Sequence, residues 1–307
     1  MSEAAPSTRA RELVRGGYDM HVHIAPDVVE RKISDVALAG RCLELGLAGF
    51  QLKSHYTSTA ERARSVTEAA GGGVRVLGAI TLNRAVGGLN ALAVELAARE
   101  GARTVWFPTV NSVNEQHEVH PAPPGAKQPV WVKFELELRE AGHEVDPVAV
   151  VDADGALLPA ALEVLAVIAR HDMVLATGHL ARDEIFALVD GAVAAGVRQI
   201  VVTHPEFPSQ SLSIEDQQQL AERGALLERC FTTPHTGKVS WELICRASRE
   251  VGPGHTVFSS DLGQVFNPPV EDGLALMADQ FLAAGFSDEE VITMAVTNTR
   301  RLAGERL

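Results

Sequence analysis

Over most of this chain, short apolar runs alternate with longer stretches whose apolar positions recur every three to four residues. Four to eight apolar residues bounded by turn formers read as a buried strand, and the longer periodic stretches as amphipathic helices. Strands are predicted at 18–24, 48–53, 74–80, 104–107, 174–177, 199–202, 225–231 and 256–259. Helices are predicted at 34–45, 59–70, 90–99, 159–170, 182–195, 214–223, 239–250, 270–284 and 288–297. Strand and helix alternating in this way build a parallel sheet covered by helices. Eight strands favour a closed (β/α)8 TIM barrel. The competing open, doubly wound sheet would carry a Gly-rich phosphate loop after its first strand, and none follows residues 18–24.

The rhythm breaks once, after the fourth strand. Residues 108–129 are rich in Pro, Asn and His, 131–137 predicts a short extra strand, and 148–158 predicts a small hairpin turning at Asp152, Asp154 and Gly155. So long an interruption inside a compact domain is usually functional. The expectation is a single-domain barrel with its core at about 18–302, in which 108–158 forms a lid or wall over the mouth. Asp152 and Asp154 resemble part of a calcium loop, but no Glu completes it, so they read as a turn.

Composition narrows the class only a little. The chain is 46% hydrophobic and 22% charged, as ordinary globular proteins are. A formal charge of −13 argues against a nucleic-acid surface. Cys42, Cys230 and Cys245 form no CxxC pair, which excludes a zinc knuckle or redox motif and suits a reduced, cytoplasmic setting. No apolar run approaches the ~20 residues that span a bilayer, and the first residues lack the apolar core of a secretory signal. A homodimer is expected on general grounds.

The chemistry starts at Asp19-Met20-His21-Val22-His23. Residues two apart on a strand share a face, so His21 and His23 project together. Two adjacent imidazoles at a strand end can begin a metal site, or can be surface histidines. His179 follows the fifth strand, His204 the sixth and Asp261 the eighth. In a (β/α)8 barrel all of these strand ends meet on one face. Four His and one Asp there make a nitrogen and oxygen donor set for one or two divalent ions, Zn foremost, with Mn, Fe or Ni as alternatives.

These positions resemble the metal signature of the amidohydrolase superfamily: HxH at the first strand, single His after the fifth and sixth, Asp after the eighth. The stretch Thr297-Asn298-Thr299-Arg300-Arg301-Leu302 is similar to the closing helix start of those enzymes, and the likeness runs from Tyr18 to Leu302. So early an HxH leaves no room for the N-terminal β-sandwich of many members, which points to the compact single-domain branch. Leu52-Lys53-Ser54-His55-Tyr56 and Gly78-Ala79-Ile80-Thr81-Leu82-Asn83 suggest a poorly characterised subgroup.

The resemblance implies that His21, His23 and Asp261 bind a first metal, while His179 and His204 complete that site or hold a second. Asp261 would orient a water and shuttle its proton. One departure stands out. Binuclear members carry a carboxylated lysine or a glutamate at the end of strand four, where this chain has Val105-Trp106-Phe107-Pro108. Lys53, after strand two, could substitute as a carbamate, bind an anionic substrate, or stay charged in a polar mouth. His55 shares its facing and is a ligand, a substrate contact or a structural residue. Glu228 is a weaker candidate, because its direction depends on register. Asn83 and Arg84 are candidate substrate contacts, and His117, His120 and His143 lie on the interruption.

The implied activity is metal-dependent hydrolysis of a small-molecule amide, lactone or ester, or phosphoester. A decarboxylase or hydratase of the same superfamily is the alternative, slightly favoured by the missing strand-four bridge. A phosphoesterase of another HxH family would spread more ligands over further strands. A barrel that only binds a ligand would be expected to have lost some of the five.

Overall fold

The computed structural model describes residues 5–116, 130–143 and 145–305. Eight parallel strands follow one another in chain order around a single sheet. They are β1 (Tyr18–Val22), β2 (Gly49–Leu52), β3 (Arg75–Thr81), β4 (Ala102–Trp106), β5 (Val174–Ala176), β6 (Gln199–Val202), β7 (Leu226–Cys230) and β8 (Thr256–Ser259). Closure comes at the strand ends: Val22 bridges Leu262 in parallel, His23 N–H donates to Leu262 O, and Asp261 N–H donates to His21 O, both at 2.8 Å. The fold is the single-domain (β/α)8 barrel that the alternating pattern predicts.

The local chemistry explains where helices begin and stop. Ser34, Asn90, Ser213, Ser240 and Ser287 each accept a backbone N–H at a helix start, a cap whose removal typically costs about 1 kcal/mol. Between the strands and the outer helices, Val164, Leu165, Ile168, Ile185, Leu188 and Val189 are fully shielded from solvent. Inside the barrel Met20, Leu77, Ala79, Trp106, Val174, Ala176, Val201 and Val257 fill the lower lumen, which makes it a packed plug and leaves chemistry to the strand ends.

Two expectations about elements change. The first strand stops at Val22 instead of residue 24, and its register against β2 shifts between Asp19 and Val22. An irregularity of this kind beside an active site re-aims side chains. Residues 131–137 are not a strand, because Val130–Glu140 is a helix. Alternation of Val132, Phe134, Leu136 and Leu138 with charged residues imitates the two-residue period. The burial follows the helical period instead: Glu135 is buried, Phe134 and Leu138 half-buried, and Leu136 exposed. Lys133 and Glu137 also form an i,i+4 ion pair at 3.8 Å, an arrangement only a helix rewards. The small hairpin is present, with Val151 bridging Leu157, and Asp152 Oδ1 accepts from the N–H groups of Asp154 and Ala156 as a turn residue does. His117 and His120 lie outside the described residues. Among the described residues no helix is long and apolar enough to cross a membrane.

Candidate metal centre

Five imidazoles close a circuit at the C-terminal end of the barrel. Ring centres of His21 and His23 are 5.3 Å apart, His23 and His55 4.8 Å, His55 and His179 6.2 Å, His179 and His204 4.9 Å, and His204 and His21 6.2 Å. Asp261 stands at the join of β8 and β1, its Oδ1 3.2 Å from Nε2 of His21 and equally far from Nε2 of His23. Its Oδ2 accepts from the Thr232 hydroxyl at 3.0 Å, which fixes the carboxylate plane. Lys53 Nζ approaches His21 Nε2 to 2.9 Å. All the residues expected at the site from strands one, two, five, six and eight therefore meet in one place.

Several backbone features deliver them. His204 and Asp261 are non-glycine residues with positive φ, +25° and +53°, conformations that cost energy and persist where the surroundings fix them. Gly178, at φ +65°, precedes His179 and passes so close to Phe107 that a Cβ would lie 2.3 Å from its carbonyl oxygen. Gly263, at φ +138°, lies against the His23 carbonyl, where a Cβ would come within 1.5 Å. These two turns accept only glycine, and they set the height of the His179 and Asp261 loops.

The electrostatics favour a neutral nitrogen and an ionised oxygen set. Burial lowers the pKa of His23, His55 and His204 well below that of a free imidazole, and that of His179 less far. Burial alone would raise the Asp261 carboxyl, but His21, His23 and Lys53 together hold it well below the usual carboxylate range. Neutral imidazole and carboxylate are the forms that ligate divalent ions. Burial likewise lowers the Lys53 ammonium, which brings it nearer the neutral amine that carbamate formation requires.

Glu228 becomes a central residue. It points from β7 into the lumen, 2% exposed, with both carboxylate oxygens 3.2–3.3 Å from His21 Nδ1. A carboxylate behind an imidazole selects the tautomer whose Nε2 faces the site. Cys230 Sγ is 3.7 Å from the same Nδ1. At the end of β4, Trp106 fills the place beside Lys53, its ring 5.1 Å from Nζ and 5.6 Å from the His21 ring, so no ligand comes from that strand.

The remaining candidates divide. His55 Nδ1 is 2.8 Å from the Thr109 hydroxyl. Asn83 is fully buried, and its amide is spent on Thr109, Asn111 and the His55 carbonyl, so it braces the mouth. His143 is exposed on the interruption. Residues the sequence reading passed over include Glu115, 3.2 Å from His179 Nδ1, and Asn114, which donates to the carbonyls of His179 and Ser209. Both lie in the single 3-10 turn Val113–Glu115 after β4, too short for any periodicity to aim a side chain.

Nδ1 of His23 and of His204 are buried without a hydrogen-bond partner among the described residues. The fit to a divalent ion rests on other atoms: His21, His23 and Asp261 offer three donor atoms within 4.8 Å of one another, and imidazole nitrogens beside an ionised carboxylate are a donor set that such ions accept.

Solved structures share the architecture. An amidohydrolase from Pseudomonas aeruginosa superposes with a TM-score of 0.61 at 11% identity, over 98% of this chain and 100% of that one. A beta-aspartyl dipeptidase from Fervidobacterium islandicum gives 0.57 at 14%, over 94% and 72%. A metallo peptidase from Rhodobacter sphaeroides, liganded with a phosphinate mimic of the dipeptide L-Ala-D-Ala, gives 0.52 at 16%, over 99% and 91%. In fold this chain is similar to these (β/α)8 barrels. By sequence the chain belongs to DUF6282, a family of unknown function, whose model matches residues 16–228. No curated protein sequence matches it.

Proposed function

We infer that this protein is a metal-dependent hydrolase of small molecules. The observation that carries the reading is the convergence of His21 Nε2 and His23 Nε2 on Asp261 Oδ1, each at 3.2 Å. His21, His23 and Asp261 would hold one divalent ion, with His179 and His204 across the mouth to complete that site or hold a second. When bound, such an ion supplies Lewis acidity that brings a water toward ionisation near neutral pH.

The chain's own residues supply the rest. The Asp261 carboxylate would take a proton from the site and return it to a leaving group, with the Thr232 hydroxyl holding Oδ2 in place. Glu228 accepts from His21 Nδ1 and keeps Nε2 turned to the site. Lys53 touches the same Nε2, so its ammonium must move aside or lose its proton when an ion binds. A lyase of the same fold is the second reading. It is favoured by Trp106, which occupies the end of β4 where a bridging group for two ions would stand. That the three cysteines are free and buried supports a reduced, cytoplasmic setting.

Elemental analysis of the purified protein, beside His21→Ala/His23→Ala, tests the reading. About one or two ions per chain, lost in the double variant, are expected. A protein that stays metal-free after reconstitution with Zn or Mn would sink it.

A further inference from the structure

Beside the mouth lies a second space that the hydrolytic chemistry does not use. It measures about 280 Å³ and is walled chiefly by Tyr56, Arg84, Asn111, Glu135, Leu138 and His143. One water needs only ~10–15 Å³ by this kind of measure, so a group of several heavy atoms fits.

Two of its polar side chains, Asn111 and Glu135, are buried, Tyr56 is half-buried, and Arg84 and His143 are exposed. Glu135 is 8% and Asn111 5% exposed, and the Asn111 amide donates to Glu135 Oε1 at 2.5 Å. Burial, ahead of any other cause, lifts the Glu135 carboxyl to about 7, so at mildly acid pH it can donate a hydrogen bond as well as accept one. Arg84 spends Nε and Nη2 on the carbonyls of Asp146 and Pro147, each at 3.1 Å. Its Nη1 has no partner among the described residues. The guanidinium is the one fixed charge among the described lining residues, in a chain whose net charge is −13.

The space is joined to the metal mouth by continuous contacts. Asn111 N–H and Thr109 N–H both donate to Asn83 Oδ1, and Asn83 Nδ2 donates to the Thr109 hydroxyl and to the His55 carbonyl. The Thr109 hydroxyl meets His55 Nδ1, and the His55 ring stacks on His23. Tyr56 belongs to both walls, 6.0 Å from the His55 ring and 5.2 Å from Phe134.

We propose that this cavity is the recognition pocket for the part of the substrate away from the scissile bond, and that it takes a carboxylate, with Arg84 as the fixed counter-charge. Its role as a substrate pocket rests on the hydrolase reading above, whereas carboxylate binding itself needs no metal. A substrate of this kind is a small molecule with an anionic tail, its reacting bond near His23 and its carboxylate under the Val130–Glu140 helix.

The test is calorimetric titration of the metal-stripped protein with glutarate and with its neutral diamide, glutaramide, at about pH 6.5. Wild type is compared with Arg84→Gln, which removes the charge, and with Leu138→Trp, which fills the space and leaves Arg84 untouched. The expected result is that wild type binds glutarate in preference to glutaramide, and that each variant weakens glutarate at least about tenfold, as loss of a charged hydrogen bond does. No glutarate binding by wild type, equal binding of the two ligands, or unchanged affinity in a folded variant overturns the assignment. Should Arg84→Gln fail to fold, Leu138→Trp and the ligand comparison still decide. Metal content is measured separately, so failure of the metal reading and failure of this one are told apart.

Discussion

Glu228 illustrates how much one side chain depends on neighbours far away in sequence. His21 and His23 are legible from the chain because two residues on a strand end must share a face. The loop residues His179, His204 and Asp261 are legible because each follows an apolar run. Glu228 sits within its run, flanked by Leu227 and Arg229, so its direction waits on the register of β7 with β8, where it pairs with Val257. Once inward, it meets His21 Nδ1 and is held below its ordinary pKa: burial pushes the carboxyl up, but His21 and Lys53 overcome it. Carboxylates behind metal-binding imidazoles are worth 10–100-fold in affinity. Glu228→Gln keeps an acceptor but loses the charge, and should weaken zinc about tenfold. Glu228→Ala should weaken it by up to about a hundredfold. Chelator competition measures both, and equal affinity in all three proteins would reduce Glu228 to a filler of the lumen.

Among the elements, those with one strong period were read correctly, as 159–170 was, observed as the helix Pro159–Arg170. The helix Val130–Glu140 was not, because its apolar residues satisfy both periods and only tertiary contact decides between them. What it docks against is the wall of Asn111 and Tyr56, with Glu135 turned inward. The Glu135 carboxyl rises on folding from 4.5 to about 7, with burial the chief cause. Protonation therefore favours the folded state. The folded protein is stabilised relative to high pH below about 4.5, that advantage drains away as pH rises through 7, and above it the buried charge costs its full amount. Glu135→Gln removes the charge and keeps the acceptor for Asn111. It should gain up to about 3 kcal/mol at pH 8 and be near neutral at pH 4.5. Urea unfolding at the two pH values measures this, and a gain that is the same at both would place the effect in helix propensity instead.

At the scale of the whole molecule, the barrel is held to its outer layer by a polar centre that no reading of periodicity reveals. Arg229, next to Glu228 on β7, faces outward and is fully buried. Its guanidinium pairs with Glu206 of the β6 loop, donates to Gln217 Oε1 at 2.7 Å, and reaches Ser248 Oγ at 3.1 Å. Three separate segments thus close on one cation, and Glu206 lies two residues beyond His204, so the same pair steadies the loop that carries a candidate ligand. Desolvating two charges consumes most of their attraction, whereas removing one partner leaves the other buried and uncompensated. Glu206→Ala should therefore destabilise the protein by about 3–5 kcal/mol, read from the urea midpoint at constant slope. Replacing both, as Glu206→Leu/Arg229→Met, should recover most of that loss by removing the orphaned charge. Zinc affinity separates two possibilities that stability cannot. If the pair positions His204, the double variant regains stability but not full affinity; if it only fills the layer between barrel and helices, both return together.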